Sequence, residues 1–144
     1  FASHFAPRML GQAIEIYREN FQASEYLDKP YVSMGVPTVV AATDEEAQYL
    51  ATSSYQRILN LIRGNSLKLK PPIDSIEGLA SVSEQMAIQN FYAMAQIGSK
   101  ETVNAGLNKI ASQYDVDEFI FTCDIYDTEK RLENFSLIQQ LKTE

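Results

Sequence analysis

Apolar residues along the chain alternate between helical and strand-like spacing. Spacings of three and four residues predict helices over about residues 8–22, 44–63, 81–92 and 99–114, with a last helix after Asp127. Largely apolar runs between them predict strands at 31–42, 93–97 and 119–123, and the opening run Phe1–Phe5 predicts one more. The predicted order is β-α-β-α-α-β-α-β-α.

Capping residues mark the starts of these helices. Thr43 and Ser81 are each followed three residues later by a glutamate, which is the capping-box pattern. Ser99 and Asp127 are predicted N-caps, and Gly64 is placed to end the second helix. We therefore expect well-defined starts for the second, third, fourth and last of the predicted helices.

Two segments depart from regular patterning. Pro37 stands inside the strand predicted at 31–42, and because proline cannot donate to a ladder, we expect a bulge or bend beside Gly35. Residues 64–80 have no clear periodicity and predict an irregular loop between helices.

The alternation of apolar strands with amphipathic helices is typical of an α/β fold of parallel β/α units with right-handed crossovers. Four such units do not close a TIM (β/α)₈ barrel, which needs eight units and about 200 residues. The pattern therefore leaves a small open sheet or half of a barrel. The chain starts without Met on an apolar strand, which favours the half-barrel, and we expect residues 1–144 to form a single partial domain.

Composition narrows the function classes. The net charge of −7 gives no electrostatic footprint for nucleic acid, and the lone Cys123 cannot form an internal disulfide. Neither a run of about 18 apolar residues nor a signal-peptide pattern is present, so we expect no membrane association and a cytoplasmic location.

His4 is the first candidate for chemistry. It is the one histidine of the chain, and it stands where a predicted strand gives way to a helix, at the catalytic end of a β/α unit. No partner at fixed spacing marks a triad, and a metal site is not expected. A packing or capping role for His4 is the alternative.

Gly98 and Ser99 are a second candidate, because backbone amides at a helix start can hold a phosphate. An ordinary N-cap turn is the alternative, and neither a P-loop nor a dinucleotide fingerprint is present. Weaker candidates are acids near the exit of the last strand and a basic cluster in the irregular loop. These are Asp124 and Asp127, and Arg63, Lys68 and Lys70.

Whole segments of the chain resemble the bacterial-luciferase-like flavin monooxygenases, in particular the alkanal monooxygenase-like group. The matching segments, in chain order, are Phe1–Pro7, Tyr17–Phe21, Lys29–Val32, Ala41–Ala47, Ile97–Val103 with Gly106 and Leu107, Asp117–Ile120, and Arg131 with Leu132. The family fold is a TIM barrel of about twice this length. The resemblance therefore identifies the chain with the C-terminal half of that barrel.

The resemblance implies a monooxygenase that uses reduced FMN and O₂ to oxygenate an aldehyde-like small substrate, with a flavin reductase as partner. His4 carries over as the catalytic residue, and Ser3, Gly98 and Ser99 as cofactor-binding residues. A half-barrel by itself is expected to be inactive or nearly so, and its open edges predict a homo-oligomer. The alternatives are a non-catalytic half-barrel that acts in binding or self-association, and an unrelated open-sheet domain.

Overall fold

A computed structural model describes residues 9–141 of the chain. In order, its elements are α1 (Leu10–Glu19), β1 (Ser33–Ala41), α2 (Asp44–Ile62), α3 (Val82–Phe91), β2 (Gln96–Ser99), α4 (Lys100–Tyr114), β3 (Glu118–Thr122) and α5 (Thr128–Ile138). The predicted order is confirmed from the first helix onward, and residues 64–80 contain no helix or named strand. The strand predicted on Phe1–Phe5 lies outside the described residues.

The three strands form a parallel sheet in the order β2-β1-β3. Successive β/α units would place the strands side by side in chain order, whereas here the first strand, β1, lies in the middle of the sheet. It arises because β1 is nine residues long and pairs with different strands at its two ends. Residues 33–37 pair with β3, and residues 38–41 pair with β2. A three-stranded parallel sheet with flanking helices is consistent with half of a barrel.

Pro37 interrupts neither ladder, so the bulge predicted beside Gly35 is wrong, and the alternative of a bend stays a prediction. In a strand, the N–H and C=O of one residue point to one edge and those of the next residue to the other edge. The Val32 carbonyl accepts from the Glu118 amide on the β3 side. The backbone N–H and C=O groups of even-numbered β1 residues therefore point toward β3, and those of odd-numbered residues point toward the β2 side. Pro37 lies one residue before the β2 pairing begins at Thr38. Its missing N–H thus falls where no described strand needs it.

The side chains of even-numbered β1 residues form one face of the sheet, the even-numbered face, which is covered by helices. Met34, Val36 and Val40 are at most 3% exposed and pack in one cluster with α1 and α4. The α4 residues in this cluster follow helical spacing as predicted: Val103, Leu107 and Ile110, with Tyr114 packed against them. Leu137, Ile138 and Leu141, in and after α5, complete the cover.

The odd-numbered face is covered over only half of its length. Val39 and Ala41 pack against Ala47, Leu50 and Ala51 of α2. Toward the start of β1 and along β3, the same face consists of exposed or half-buried residues, which we call the uncovered face: Ser33, Gly35, Pro37, Glu118, Ile120 and Thr122.

The predicted helix caps are confirmed. The side chains of Thr43, Ser81, Ser99 and Asp127 each accept from an amide three residues later, and Ser81 forms a complete capping box. The Glu46 carboxylate reaches back to the Ala42 amide at 3.3 Å rather than to Thr43.

The predicted apolar face of α5 is wrong in part, because Leu132 is 63% and Phe135 40% exposed. The residue that α5 buries completely is Asn134, whose Oδ1 accepts from the Val40 amide at 2.6 Å. Val40 lies beyond the part of β1 that pairs with β3, so the Asn134 side chain supplies the acceptor that its buried N–H needs.

Candidate functional site

A groove of about 430 Å³ lies over Gly35 and Pro37 of β1 and beside the carboxyl end of β3. Ligands of parallel α/β sheets bind at this end of the strands. We call this cavity the sheet groove. Its lining comes from the uncovered face, from α2, from the end of α3 and from the segment after β3: Gly35, Pro37, Thr122, Arg57, Phe91, Tyr92 and Asp124.

Gly35 leaves the floor of the sheet groove open. A Cβ built on Gly35 would meet no atom within 4 Å apart from its chain neighbours. Pro37 and Thr122, which pair across β1 and β3, are the other strand residues of this floor. The floor therefore offers a shallow surface against which a flat group can lie.

An ion pair borders the sheet groove. Arg57 Nη2 lies 2.5 Å from Asp124 Oδ2, with about two-fifths of each side chain exposed. Ser54 Oγ also donates to the Asp124 carbonyl at 3.2 Å, so α2 is tied to the end of β3 at two points. Because the two charges of the pair cancel, this border presents donors and acceptors without net charge.

Aromatic rings form one wall. The Tyr92 ring packs edge-on against Phe91 at 5.3 Å and against Tyr55 at 5.4 Å between centroids. Burial raises the pKa of Tyr92 to about 12, so its hydroxyl stays protonated at neutral pH. The side chains of Ser54 and Arg57 interact with the Tyr92 hydroxyl, and within residues 9–141 Arg57 Nε is buried without a hydrogen-bond partner.

The start of α4 contains the predicted cofactor residues Gly98 and Ser99, and a carboxylate of the chain itself already lies there. The Ser99 amide donates to Asp44 Oδ1 at 2.5 Å, and Thr102 Oγ1 donates to Asp44 Oδ2 at 3.1 Å. These bonds, the Ser99 amide first, lower the pKa of Asp44. A phosphate at this helix start would have to displace Asp44, so a role of Gly98 and Ser99 in binding cofactor stays a prediction.

Gly98 also sets how closely α2 approaches α4. A Cβ built at Gly98 would lie 2.6 Å from Asp44 Oδ1 and 2.7 Å from Thr102 Cγ2. Both contacts are shorter than van der Waals distance, so glycine is required for this packing.

The other predicted site residues are dispersed. Ser3 and His4 lie outside the described residues. Asp127 caps α5, and Arg63 pairs with Glu84 at 2.7 Å. Lys68 and Lys70 are exposed in the irregular loop, away from the residues that line the sheet groove. Of the acids and bases singled out in the sequence, Asp124 is the one that the structure places there.

Arg57, Phe91 and Tyr92 were not identified as functional residues from the sequence, where the aromatics matched core spacing. A signal was available in α2, which carries the buried polar run Thr52, Ser53 and Ser54 in place of an apolar stripe. Burial raises the pKa of the Cys123 thiol, which disfavours the nucleophilic thiolate. The described residues include no cluster of His, Cys, Asp and Glu suited to a metal ion.

None of the helices in the described part of the chain is long and apolar enough to span a membrane.

Comparisons with known proteins find relatives along the whole chain. A luciferase-like monooxygenase of Escherichia coli (strain K12) is 39% identical over 144 residues, which are 100% of this chain and 43% of that protein. The uncharacterized protein YvbT of Bacillus subtilis (strain 168) is 36% identical over 138 residues, 96% of this chain and 41% of YvbT. The chain thus spans less than half the length of these curated relatives. No protein-family model matches it.

A solved structure shares the fold. The crystal structure of apo-MsnO8 superimposes with a TM-score of 0.75 over 99% of this chain and 44% of that protein, at 21% sequence identity. The resemblance to luciferase-like monooxygenases is thereby confirmed in sequence, while the alkanal monooxygenase-like group stays a prediction. The coverage is consistent with the C-terminal half of such a protein.

Proposed function

We propose that this chain, which is homologous along its whole length to luciferase-like monooxygenases, forms the carboxyl-terminal half of a flavin-dependent monooxygenase barrel. The complete enzyme would use reduced FMN and O₂ to oxygenate an aldehyde-like small substrate, with a flavin reductase supplying the reduced cofactor. The half-barrel alone would be inactive or nearly so. We place its site at the carboxyl ends of the strands.

The observation that carries this proposal is the sheet groove on the uncovered face. One side of the sheet packs against three helices, whereas the other, which α2 covers only toward the end of β1, opens a cavity of about 430 Å³ beside the carboxyl end of β3. In a (β/α)₈ barrel, helices cover the outer face of the sheet and the site lies at the mouth. The curated relatives have more than twice the length of this chain, which is enough for the remaining strands.

The groove residues fit a flat ring better than they fit a phosphate. Bound reduced FMN would supply the electrons that activate O₂. Gly35 would let the ring lie against the strands, and Phe91 and Tyr92 would keep water from its edge. The Arg57–Asp124 pair would orient polar substituents without adding charge. His4 remains the proposed catalytic residue, and Ser3, Gly98 and Ser99 the proposed cofactor contacts.

Complementation tests this function. The chain is co-expressed with the part of the Escherichia coli relative that it does not match, and decanal oxidation is measured with reduced FMN and O₂. We expect activity from the pair and at most a trace from either part alone. Gly35→Trp should remove the activity by filling the floor, while Met86→Trp, an exposed change on α3, should preserve it. A correctly assembled pair without flavin-dependent activity would contradict the proposal.

The second candidate is a non-catalytic half-barrel that associates with itself. The exposed Ile120, 55% accessible in the middle of the uncovered face, favours it. We propose a homo-oligomer in which two uncovered faces meet, and Ile120→Asp should dissociate it. Size-exclusion chromatography with light scattering measures the mass, and a monomer of 16.2 kDa at all concentrations would refute the self-association.

A further inference from the structure

The backbone of β1 changes its partner between Pro37 and Thr38, at a place that we call the fork. Up to Pro37 the strand pairs with β3, and from Thr38 onward it pairs with β2. The Thr38 carbonyl points toward the β3 side, as the carbonyls of even-numbered β1 residues do, but β3 ends at Thr122. At Val40, the next even-numbered residue, the Asn134 side chain takes the place of the missing strand. Because Thr38 is buried, its carbonyl needs a donor as well.

A small void of about 20 Å³ lies at the fork. Its lining comes from the three strands, from α2, from the residue after α3 and from the segment after β3: Pro37, Thr38, Val39, Ile97, Thr122, Ser54, Tyr92 and Asp124. A cavity above roughly 10–15 Å³ holds one water molecule when about two to four polar groups face it. The void therefore has the size of a single water and is too small for a larger ligand.

Polar groups of both kinds, donors and acceptors, belong to the residues around this void. Ser54 Oγ donates its one proton to the Asp124 carbonyl at 3.2 Å, so toward any other group it can only accept. The Tyr92 hydroxyl is buried, interacts with Ser54 and Arg57, and keeps its proton at neutral pH. The Thr38 carbonyl adds an acceptor. Two acceptors and one donor match the roughly three hydrogen bonds that a buried water makes.

We propose that the fork binds one ordered water molecule, which donates to the Thr38 carbonyl and accepts from the Tyr92 hydroxyl. This water continues the β3 side of β1 by one hydrogen bond where the strand itself has ended. It also ties the sheet to the aromatic wall of the sheet groove, because Pro37, Tyr92, Thr122 and Asp124 line both the void and that groove. The inference goes beyond the proposed function and does not depend on flavin.

Cross-relaxation between water and amide protons tests the fork in the intact chain. We expect NOESY and ROESY cross-peaks of opposite sign between the water resonance and the amide protons of Thr38 and Asp124, the signature of a water that stays bound while the molecule tumbles. The amide proton of Tyr26, a residue that is 87% exposed, should show no such pair of cross-peaks. Their absence at both Thr38 and Asp124 would overturn the proposal.

Matched variants exclude hydroxyl protons as the source, since these protons exchange with water and can give similar cross-peaks. Ser54→Ala deletes a hydroxyl and leaves the void open, so the cross-peaks should remain. Ser54→Val fills the void with two methyl groups and should abolish them. Tyr92→Phe should shorten the residence time of the water by about two- to tenfold, the effect expected for one hydrogen bond. Tyr55→Phe, outside the lining, should leave it unchanged.

The variants also give the results that would reject the water site. Cross-peaks that disappear in Ser54→Ala would come from the hydroxyl itself, and cross-peaks that persist in a folded Ser54→Val would come from another place. Equal effects of Tyr92→Phe and Tyr55→Phe would reject Tyr92 as the donor. If Ser54→Val does not fold, the natural chain, Ser54→Ala and Tyr92→Phe still decide the question.

Discussion

The two faces of the sheet differ in how completely their side chains are packed. On the even-numbered face, Met34 and Val36 are 3% and 0% exposed beneath α1 and α4. On the odd-numbered face, Gly35 has open space above it and Ile120 is 55% exposed, although both lie in the same paired segment of β1 and β3. Over residues 33–37 of β1, one face is thus a finished core within this chain, and the other is a surface.

This difference separates stability from function. The covered face has the apolar contacts that hold the domain together, while the uncovered face has the groove and few contacts of its own. Substitutions on the first should act on folding, and substitutions on the second should act on binding and association.

The largest expected effect comes from truncating a methionine on the covered face. Met34→Ala should lower the free energy of unfolding by about 2–5 kcal/mol, because it leaves a cavity beneath α1 and α4. Ile120→Ala on the uncovered face should change it by no more than about 0.5 kcal/mol. Urea unfolding followed by circular dichroism measures both. Similar losses for the two variants would show that the faces do not differ.

Two glycines should respond in opposite directions. Gly98→Ala places a methyl group against Asp44 and Thr102 and should destabilise the fold by about 1–3 kcal/mol. Gly35→Ala meets no atom within 4 Å and should be neutral or stabilising by up to about 1 kcal/mol. Thermal melting of the two variants compares them directly. A Gly98→Ala protein as stable as Gly35→Ala would contradict the close approach of α2 and α4.

The smallest effect concerns the ion pair that joins α2 to α3. Arg63, followed by bonds from Ser81, lowers the pKa of Glu84 from 4.5 to about 2. A lowered pKa means that this stabilisation is present above about pH 4.5 and is lost as the pH falls toward 2. Glu84→Gln should therefore be less stable than the natural chain at pH 6, and the difference should vanish near pH 2.

Arg63→Gln provides the control for the ion pair. It should show the same pH dependence as Glu84→Gln, and the double variant should lose no more than either single one. Glutamine at position 84 still permits the capping box with Ser81, so a pH-dependent loss comes from the ion pair, and a pH-independent loss would contradict this prediction. Chemical denaturation at several pH values distinguishes the two results.

Local structure was predictable from the sequence because short-range chemistry determines it. Thr43, Ser81, Ser99 and Asp127 cap helices as expected, and the apolar spacing of α4 identified its buried face. Gly64 follows α2 with φ of 76°, the left-handed conformation that ends helices.

The long-range arrangement of the strands and helices was less predictable from the sequence. The central position of β1 depends on which strand pairs with each half of it, and no pattern within a strand encodes that choice. The occupation of the α4 start by Asp44 joins residues 55 positions apart. α5 turns Asn134 inward because the Val40 amide needs an acceptor, a requirement that apolar periodicity does not reveal. The sheet groove was not predictable from the sequence for the same reason, because Arg57, Tyr92 and Asp124 come from three separate segments.

Pro37 has a consequence for the behaviour of the chain in concentrated solution. The edge of β1 along residues 33–37 has no strand beside it on the β2 side in the described structure, and exposed edges of this kind recruit strands from other molecules. Of the three residues that point toward that edge, Pro37 cannot donate a hydrogen bond. An incoming strand would find donors at Ser33 and Gly35 alone. The proline thus removes one of the three donors that such a strand would need at this edge.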